Sequence, residues 1–169
     1  MDVFEAIFTR RSIRRYSEKE IKSETVDKII QAGMYAPSAV NKQPWHFIVF
    51  DNPDTKKEIM EIHRSSLMLA DAKKAILVCF DENLQHDNGY GLLDCSAATQ
   101  NMLLAAHALG LGSCWVGIYP RQARMEGLKK IFRLPENIIP FAVISLGYPA
   151  ESKETPDRIK PERIHFESW

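Results

Sequence analysis

The chain has 169 residues, 45% of them hydrophobic, which suits one globular domain or one protomer of a small assembly. Its 22 basic and 22 acidic residues balance, so no global field draws it to nucleic acid or to an anionic membrane. The three cysteines, Cys79, Cys95 and Cys114, have neither CxxC nor metal-ligand spacing and lie in apolar surroundings, the pattern of reduced, buried thiols in a cytoplasmic protein.

The opening Met1-Asp2-Val3-Phe4-Glu5 is acidic and amphipathic, unlike a secretory signal. Residues 2–9 place Val3, Phe4, Ile7 and Phe8 on one helical face. The turn that follows holds Arg10, Arg11, Arg14 and Arg15 within six residues. A second helix is expected from Ser23, whose hydroxyl can cap it, to Ala36, with Val26, Ile29, Ile30, Gly33 and Met34 inward. It must stop there, because Pro37 disfavours helical geometry in the residue before it.

Pro37 to Pro44 is a loop rich in amide and hydroxyl groups, bounded by this helix and by a strand over His46–Phe50. It reads either as an ordinary helix-to-strand connection or as a rigid hydrogen-bonding wall for a planar ligand. Asn52-Pro53 starts a third helix through about His63, with Asn as cap and Pro in the first turn. Lys74–Phe80 is a continuous apolar run suited to a strand buried on both faces. Asp81–Gly91 is polar, a loop or short helix. Asp94–Leu109 is small or apolar on nearly every face, the mark of a helix surrounded by protein, with Gly110 as its terminator.

A strand over Ser113–Ile118, a helix over Arg121–Phe132 and a strand over Ile138–Leu146 complete the pattern. No segment suits a membrane span, since polar residues and glycines interrupt the longest run without Lys, Arg, Asp or Glu, Cys95–Pro120. Residues 1–149 therefore read as one domain and 150–169 as an extension. Of the last 19 residues, 11 are charged or proline, so this extension cannot bury a core of its own. The alternation around Ile164 and Phe166 suggests a terminal strand added to a sheet edge, that of a partner subunit.

Helices alternating with strands point to α/β or α+β architecture, yet the usual cofactor fingerprints are missing. There is no P-loop, and the glycines at 110, 112 and 117 follow a helix and enter a strand, the reverse of the dinucleotide order. No nucleophile elbow, HExxH or metal cluster is present, and the five histidines read as structural. The arginine cluster is either a solvated helix end or a phosphate cradle, to which Ser12 adds a hydroxyl. An enzyme with phosphate donors and no triad borrows its reactivity from a cofactor.

Four segments together carry a resemblance over essentially the whole chain. Arg10-Arg11-Ser12-Ile13-Arg14 resembles the phosphate motif of the FMN-dependent nitroreductase family, and Pro37–Phe47 its second signature. Ala97–Gly112 is similar to that family's buried central helix, and Leu146-Gly147-Tyr148-Pro149 with the Asp157-Arg158 tail completes the order. The resemblance implies an α+β fold with a mostly antiparallel central sheet flanked by helices. It also implies an intertwined homodimer whose C-terminal tails embrace the partner and whose two FMN sites lie at the interface.

By the same resemblance, Arg10, Arg11 and Ser12 would hold the FMN phosphate, joined by Arg158, with Lys160 and Arg163 as further candidates. Arg14 would lie near the flavin pyrimidine edge. Pro37, Ser38, Ala39 and Asn41 would reach the ring from the other protomer. The backbone of Trp115, Val116 and Gly117 would face the flavin, with an N–H directed at N5 and that of Val116 tuning the ring. The implied reaction is ping-pong transfer from NADH or NADPH to a nitroaromatic, quinone or flavin acceptor. A flavin-binding storage or sensor protein without turnover is the alternative.

Overall fold

A computed structural model describes all 169 residues. Four strands form one antiparallel sheet in the order β1-β2-β4-β3: β1 Trp45–Phe50, β2 Lys74–Asp81, β3 Gly112–Gly117 and β4 Ile138–Gly147. The helices are α1 Val3–Thr9, α2 Ser23–Met34, α3 Pro53–Ile62, α4 Tyr90–Ala108 and α5 Gln122–Phe132. The α+β fold with an antiparallel sheet is as the sequence leads one to expect.

The central strands β2 and β4 are buried along almost their whole length, because helices cover both faces of the sheet. Side chains alternate across a strand. Ile76, Val78 and Phe80 therefore join Val26, Ile29, Met102 and Ile144 under α2 and α4. Ala75, Leu77 and Cys79 join Ile59, Leu69, Leu128 and Val143 under α3 and α5. Pro140 lacks an N–H for the ladder, and it is accommodated where the register between β2 and β4 shifts. On the α4 side Gly33 permits a close approach of α2 to α4: a Cβ there would come within 2.9 Å of the Met102 side chain.

Several boundaries differ from expectation for local reasons. Helix α2 takes Lys22, not Ser23, as its N-cap and ends at Met34, with Tyr35 and Ala36 closing a tight final turn onto Gln31 and Gly33. Helix α4 begins at Tyr90, a turn before Asp94, behind Gly89 at φ 99°. The Asn52 cap is as expected, accepting from Asp54 and Thr55. Within this chain Ile164 and Phe166 pair with no strand, and the only regular piece beyond Ala150 is a single turn at Pro161–Arg163. Helix α1 likewise buries only Ala6, leaving Phe4 66% and Phe8 62% exposed. Its apolar stripe faces away from the chain's own core.

Candidate functional site

The arginine-rich segment is held by the core rather than by its charges. Helix α1, capped by Asp2 at the Glu5 N–H (2.9 Å), ends at Thr9, and the chain turns along the free edge of β3. There the Ile13 N–H donates to the Ser113 carbonyl at 2.9 Å and Ser12 bridges Ser113. The Ile13 side chain packs over Gly112, where a Cβ would approach it to 2.7 Å. Buried Tyr16 donates to the Ile13 carbonyl at 2.7 Å and lies 2.7 Å from the Ser145 hydroxyl. These contacts fix the backbone from which Arg10, Arg11 and Arg14 project.

The guanidinium groups there have no countercharge. No carboxylate lies within ion-pair distance of Arg10, Arg11, Arg14 or Arg158. Burial, then Arg11, then Arg158 hold the Arg10 guanidinium below its ordinary pKa, the condition of a cation whose nearest charged company is other cations. Arg158, and not Lys160 or Arg163, is the tail residue whose charge reaches Arg10. Arg11 spends donors on the carbonyls of Arg10 (2.6 Å) and Glu154 (3.0 Å), which ties the tail to the cluster. His107 lies 2.8 Å from the Thr9 hydroxyl, and that hydroxyl donates to the Glu5 carbonyl at 2.6 Å. The imidazole is therefore the donor of the pair. The side chain is hydrogen-bonded, as expected of a structural histidine, but it is part-exposed rather than in the core.

Further along β3 the edge changes character. Ser113 turns its carbonyl outward to Ile13, so by strand alternation Trp115 and Gly117 also present N–H and C=O to the free edge. Val116 faces β4 instead. Its N–H lies on the side of the β3–β4 ladder, so of the three residues expected to face a flavin, Trp115 and Gly117 are the ones whose backbone groups lie on the open edge. Beside Gly117 is a cavity of about 320 Å³, shared by Arg14, His63, Trp115, Gly117 and Arg124. A Cβ on Gly117 would meet nothing within 4 Å, so open space lies over its α-carbon.

His63 and Arg124, which the sequence reading left out, meet at the Gly117 carbonyl. His63 Nε2 lies 3.0 Å from that oxygen and Arg124 Nη1 donates to it at 2.9 Å. A second basic cavity of about 440 Å³ adjoins, with Arg14, Arg15, Arg64 and Lys153 around it. Asp71 and Glu151 stand there too, the carboxylate of Glu151 engaged by the Arg14 N–H at 2.5 Å.

The Pro37–Pro44 loop is somewhere else. It is tied by Gln43 N–H to Ser38 Oγ (3.0 Å) and by Asn41 and Lys42 N–H to the carbonyls of Ser38 and Ala39. Val40, Asn41 and Gln43 all take positive φ, near 50°, which for β-branched Val40 costs on the order of 1–3 kcal/mol. Ala39 donates to Asp94 Oδ1 at 3.0 Å. Asp94 is 4% exposed and its second oxygen has no partner. That aspartate is a second missed residue: the sequence shows it as a helix-start acid, and only the packing makes it an anchor.

Asp94 and His107 are 13 residues apart on one helix, roughly 20 Å along its axis. The loop enters the sheet at β1, level with Asp81, while Ser12 joins β3 level with Leu146 and Lys74. Those levels are about 23 Å apart along β2, and β1 and β3 are opposite edges. Within one chain the predicted residues thus form two clusters. Arg10, Arg11, Ser12, Arg14, Trp115, Gly117 and Arg158 gather at one corner; Pro37, Ser38, Ala39 and Asn41 stand at the far one.

A helix-flanked antiparallel sheet with an unpaired arginine cluster on one edge defines a class, and the sequence places the chain in it. The profile of the Nitroreductase family matches residues 7–85 and 65–148, and the chain belongs to that family. It is 52% identical over 169 residues to a Methanothermobacter thermautotrophicus protein named "Putative NADH dehydrogenase/NAD(P)H nitroreductase", covering all of this chain and 88% of that one. The fold is similar to that of an FMN-dependent nitroreductase from Clostridium difficile, with a TM-score of 0.91 at 28% identity over 99% of this chain and 100% of that one. A Desulfovibrio desulfuricans structure in complex with FMN is also similar, with a TM-score of 0.87, 32% identity, and 100% and 98% coverage.

Proposed function

We propose that this protein is an FMN-dependent NAD(P)H oxidoreductase acting as a homodimer. The observation that carries the reading is the corner at β3: three cations, Arg10, Arg11 and Arg158, without a carboxylate, on an edge that runs to the open α-carbon of Gly117. The donor set suits a phosphate monoester, since guanidinium forks and a hydroxyl match its oxygens. The outward N–H of Gly117 and the charge of Arg14 suit the polar edge of a flavin ring. The residues present therefore fit FMN.

When bound there, FMN would take a hydride from NADH or NADPH, leaving oxidised nicotinamide, and pass two electrons with solvent protons to a nitroaromatic, quinone or flavin acceptor, in ping-pong order. The chain supplies the rest. Arg10, Arg11, Ser12 and Arg158 bind the phosphate; Arg14 places positive charge where negative charge would develop. The basic cavity next to Arg14 gives an anionic dinucleotide a favourable approach. Lining residues supply no acid/base pair of carboxylates.

Two unfinished surfaces support the homodimer. The loop at Pro37–Asn41 cannot reach its own chain's arginine corner, and its Asn41 side chain has no partner in the chain. The apolar stripe of α1, with Tyr35, Val40, Phe166 and Trp169, is exposed. A second copy related by a two-fold axis would bury these surfaces and bring its own loop to the flavin ring, its tail lying over the first copy. The buried, unpaired thiols suit a reducing cytoplasm. Anaerobic mixing of the purified protein with NADH or NADPH tests the reading: the flavin colour should bleach and return with an acceptor. A yellow protein that neither nicotinamide bleaches would instead be a storage or sensor protein, and one that takes up no FMN would sink the proposal.

A further inference from the structure

One group in the site is spent in an unusual way. Arg124, in the first turn of α5, is half-buried and has no carboxylate within ion-pair distance; its one protein acceptor is the Gly117 carbonyl. His63, at the end of α3, shares that acceptor. The residue is 4% exposed. Because Nε2 faces a carbonyl, Nε2 carries the proton and Nδ1 is the bare nitrogen. Nδ1 is itself buried without a partner.

Two helices on the α3/α5 side of the sheet therefore converge on a single backbone oxygen at the end of an edge strand. One donor would satisfy it. The second brings a formal charge into a cavity that already holds Arg14 and that no carboxylate lines. Burial first, and Arg124 next, hold His63 below the usual imidazole range, so it sits neutral beside the guanidinium rather than competing with it. Ser66 further fixes the turn, its hydroxyl donating to the His63 carbonyl at 2.6 Å. The resemblance that singled out Arg14 at one end of the site assigned nothing to either residue.

We propose that Arg124 is a positioning residue that places a second positive charge at the Gly117 end of the flavin site, favouring the reduced cofactor over the oxidised one, and that His63 holds Gly117 and Arg124 in register for it. The inference rests on the FMN reading. Its mechanism is differential binding: a fixed cation stabilises the form that carries more negative charge, and the gain appears in the reduction potential rather than in FMN retention alone. A clamp that only braced α5 against β3 would stabilise both forms equally. The potential would then not move.

The test compares R124Q, which removes the charge, with R124K, which keeps it, and H63L with H63Q, which restores an N–H donor. FMN-free wild type and each variant are melted to establish folding, then titrated with FMN, and the midpoint potential of each loaded protein is measured against a reference dye. R124Q should weaken binding of reduced relative to oxidised FMN by roughly tenfold, a shift of about 30 mV to more negative potential for a two-electron couple. R124K should recover most of that shift. H63L should loosen FMN several-fold and H63Q should recover it. A folded, yellow R124Q whose potential matches wild type overturns the inference alone, as does an R124K shifted as far as R124Q. A wild-type protein that takes up no FMN overturns the functional reading and this inference with it.

Discussion

The two halves of the candidate site are built in opposite ways. The arginine corner is an extension of the core: Ile13, Tyr16 and the Ser12–Ser113 bridge nail its backbone to β3, and its charges are the only part exposed. The Pro37–Pro44 loop is held by its own hydrogen bonds and one buried aspartate, carries strained residues, and turns its polar groups outward. The first half is complete within one chain. The second is a surface prepared for something beyond it. On the homodimer proposed above, a site divided this way would tie cofactor retention to assembly, and a lone protomer should hold FMN poorly even with every proposed phosphate donor in place.

That contrast can be broken most sharply at α1. Replacing Phe4 and Phe8 together with Glu puts charges on the stripe the partner would cover. It should turn a dimer into a monomer in sedimentation and lower FMN affinity by at least a hundredfold, on the order of 3 kcal/mol or more. A monomer that retains FMN normally would show that the loop is not needed in trans. Next comes the arginine corner. Arg10→Ala removes a charge-assisted contact and should weaken FMN by about 1.5–3 kcal/mol while leaving the dimer intact. Unchanged affinity by fluorescence titration would refute the phosphate assignment.

On the loop side, Asp94→Ala frees the Ala39 N–H and should weaken FMN several-fold with little change in phosphate competition, whereas Asp94→Asn, which keeps an acceptor and removes a buried charge, should leave affinity near wild type. Val40→Gly relieves the positive φ and should raise the melting temperature by a few degrees, equivalent to about 1 kcal/mol at this chain length. The smallest effect is on pH. His63 and His107 both have folded pKa values below the ordinary 6.5, through burial first, with Arg124 beside one and Arg10 and Arg11 beside the other. The unfolded chain binds more protons below pH 6.5, so the stability they contribute is present above it and is lost as pH falls through their folded values. Melting temperature should drop between pH 7 and 5, and drop less in a His63→Gln, His107→Gln double variant.

The elements were readable where their signal is local. Apolar runs at β2 and β4, the Asn52-Pro53 start and the all-round apolar α4 are properties of neighbouring residues, and the structure shifts most of their ends by only a residue or two and the start of α4 by a turn. The arginine cluster was readable too, because its charges are contiguous. His63, Arg124 and Asp94 were not. Each looks like an ordinary helix-end or helix-start residue, and each acquires its role by meeting a backbone group from elsewhere in the chain: Gly117 for the first two, Ala39 for the third.

The sequence by itself determined the family, the fold class and the arginine cluster, since these depend on hydrophobic period and on charges adjacent along the chain. Tertiary structure alone decided that Val116 faces the ladder while Gly117 faces outward, that the tail forms no strand here, and that the two halves of the predicted site lie at opposite corners of the sheet. The reason is one of geometry. Strand order and register set which residues share a corner, and neither is written in the spacing of any single segment.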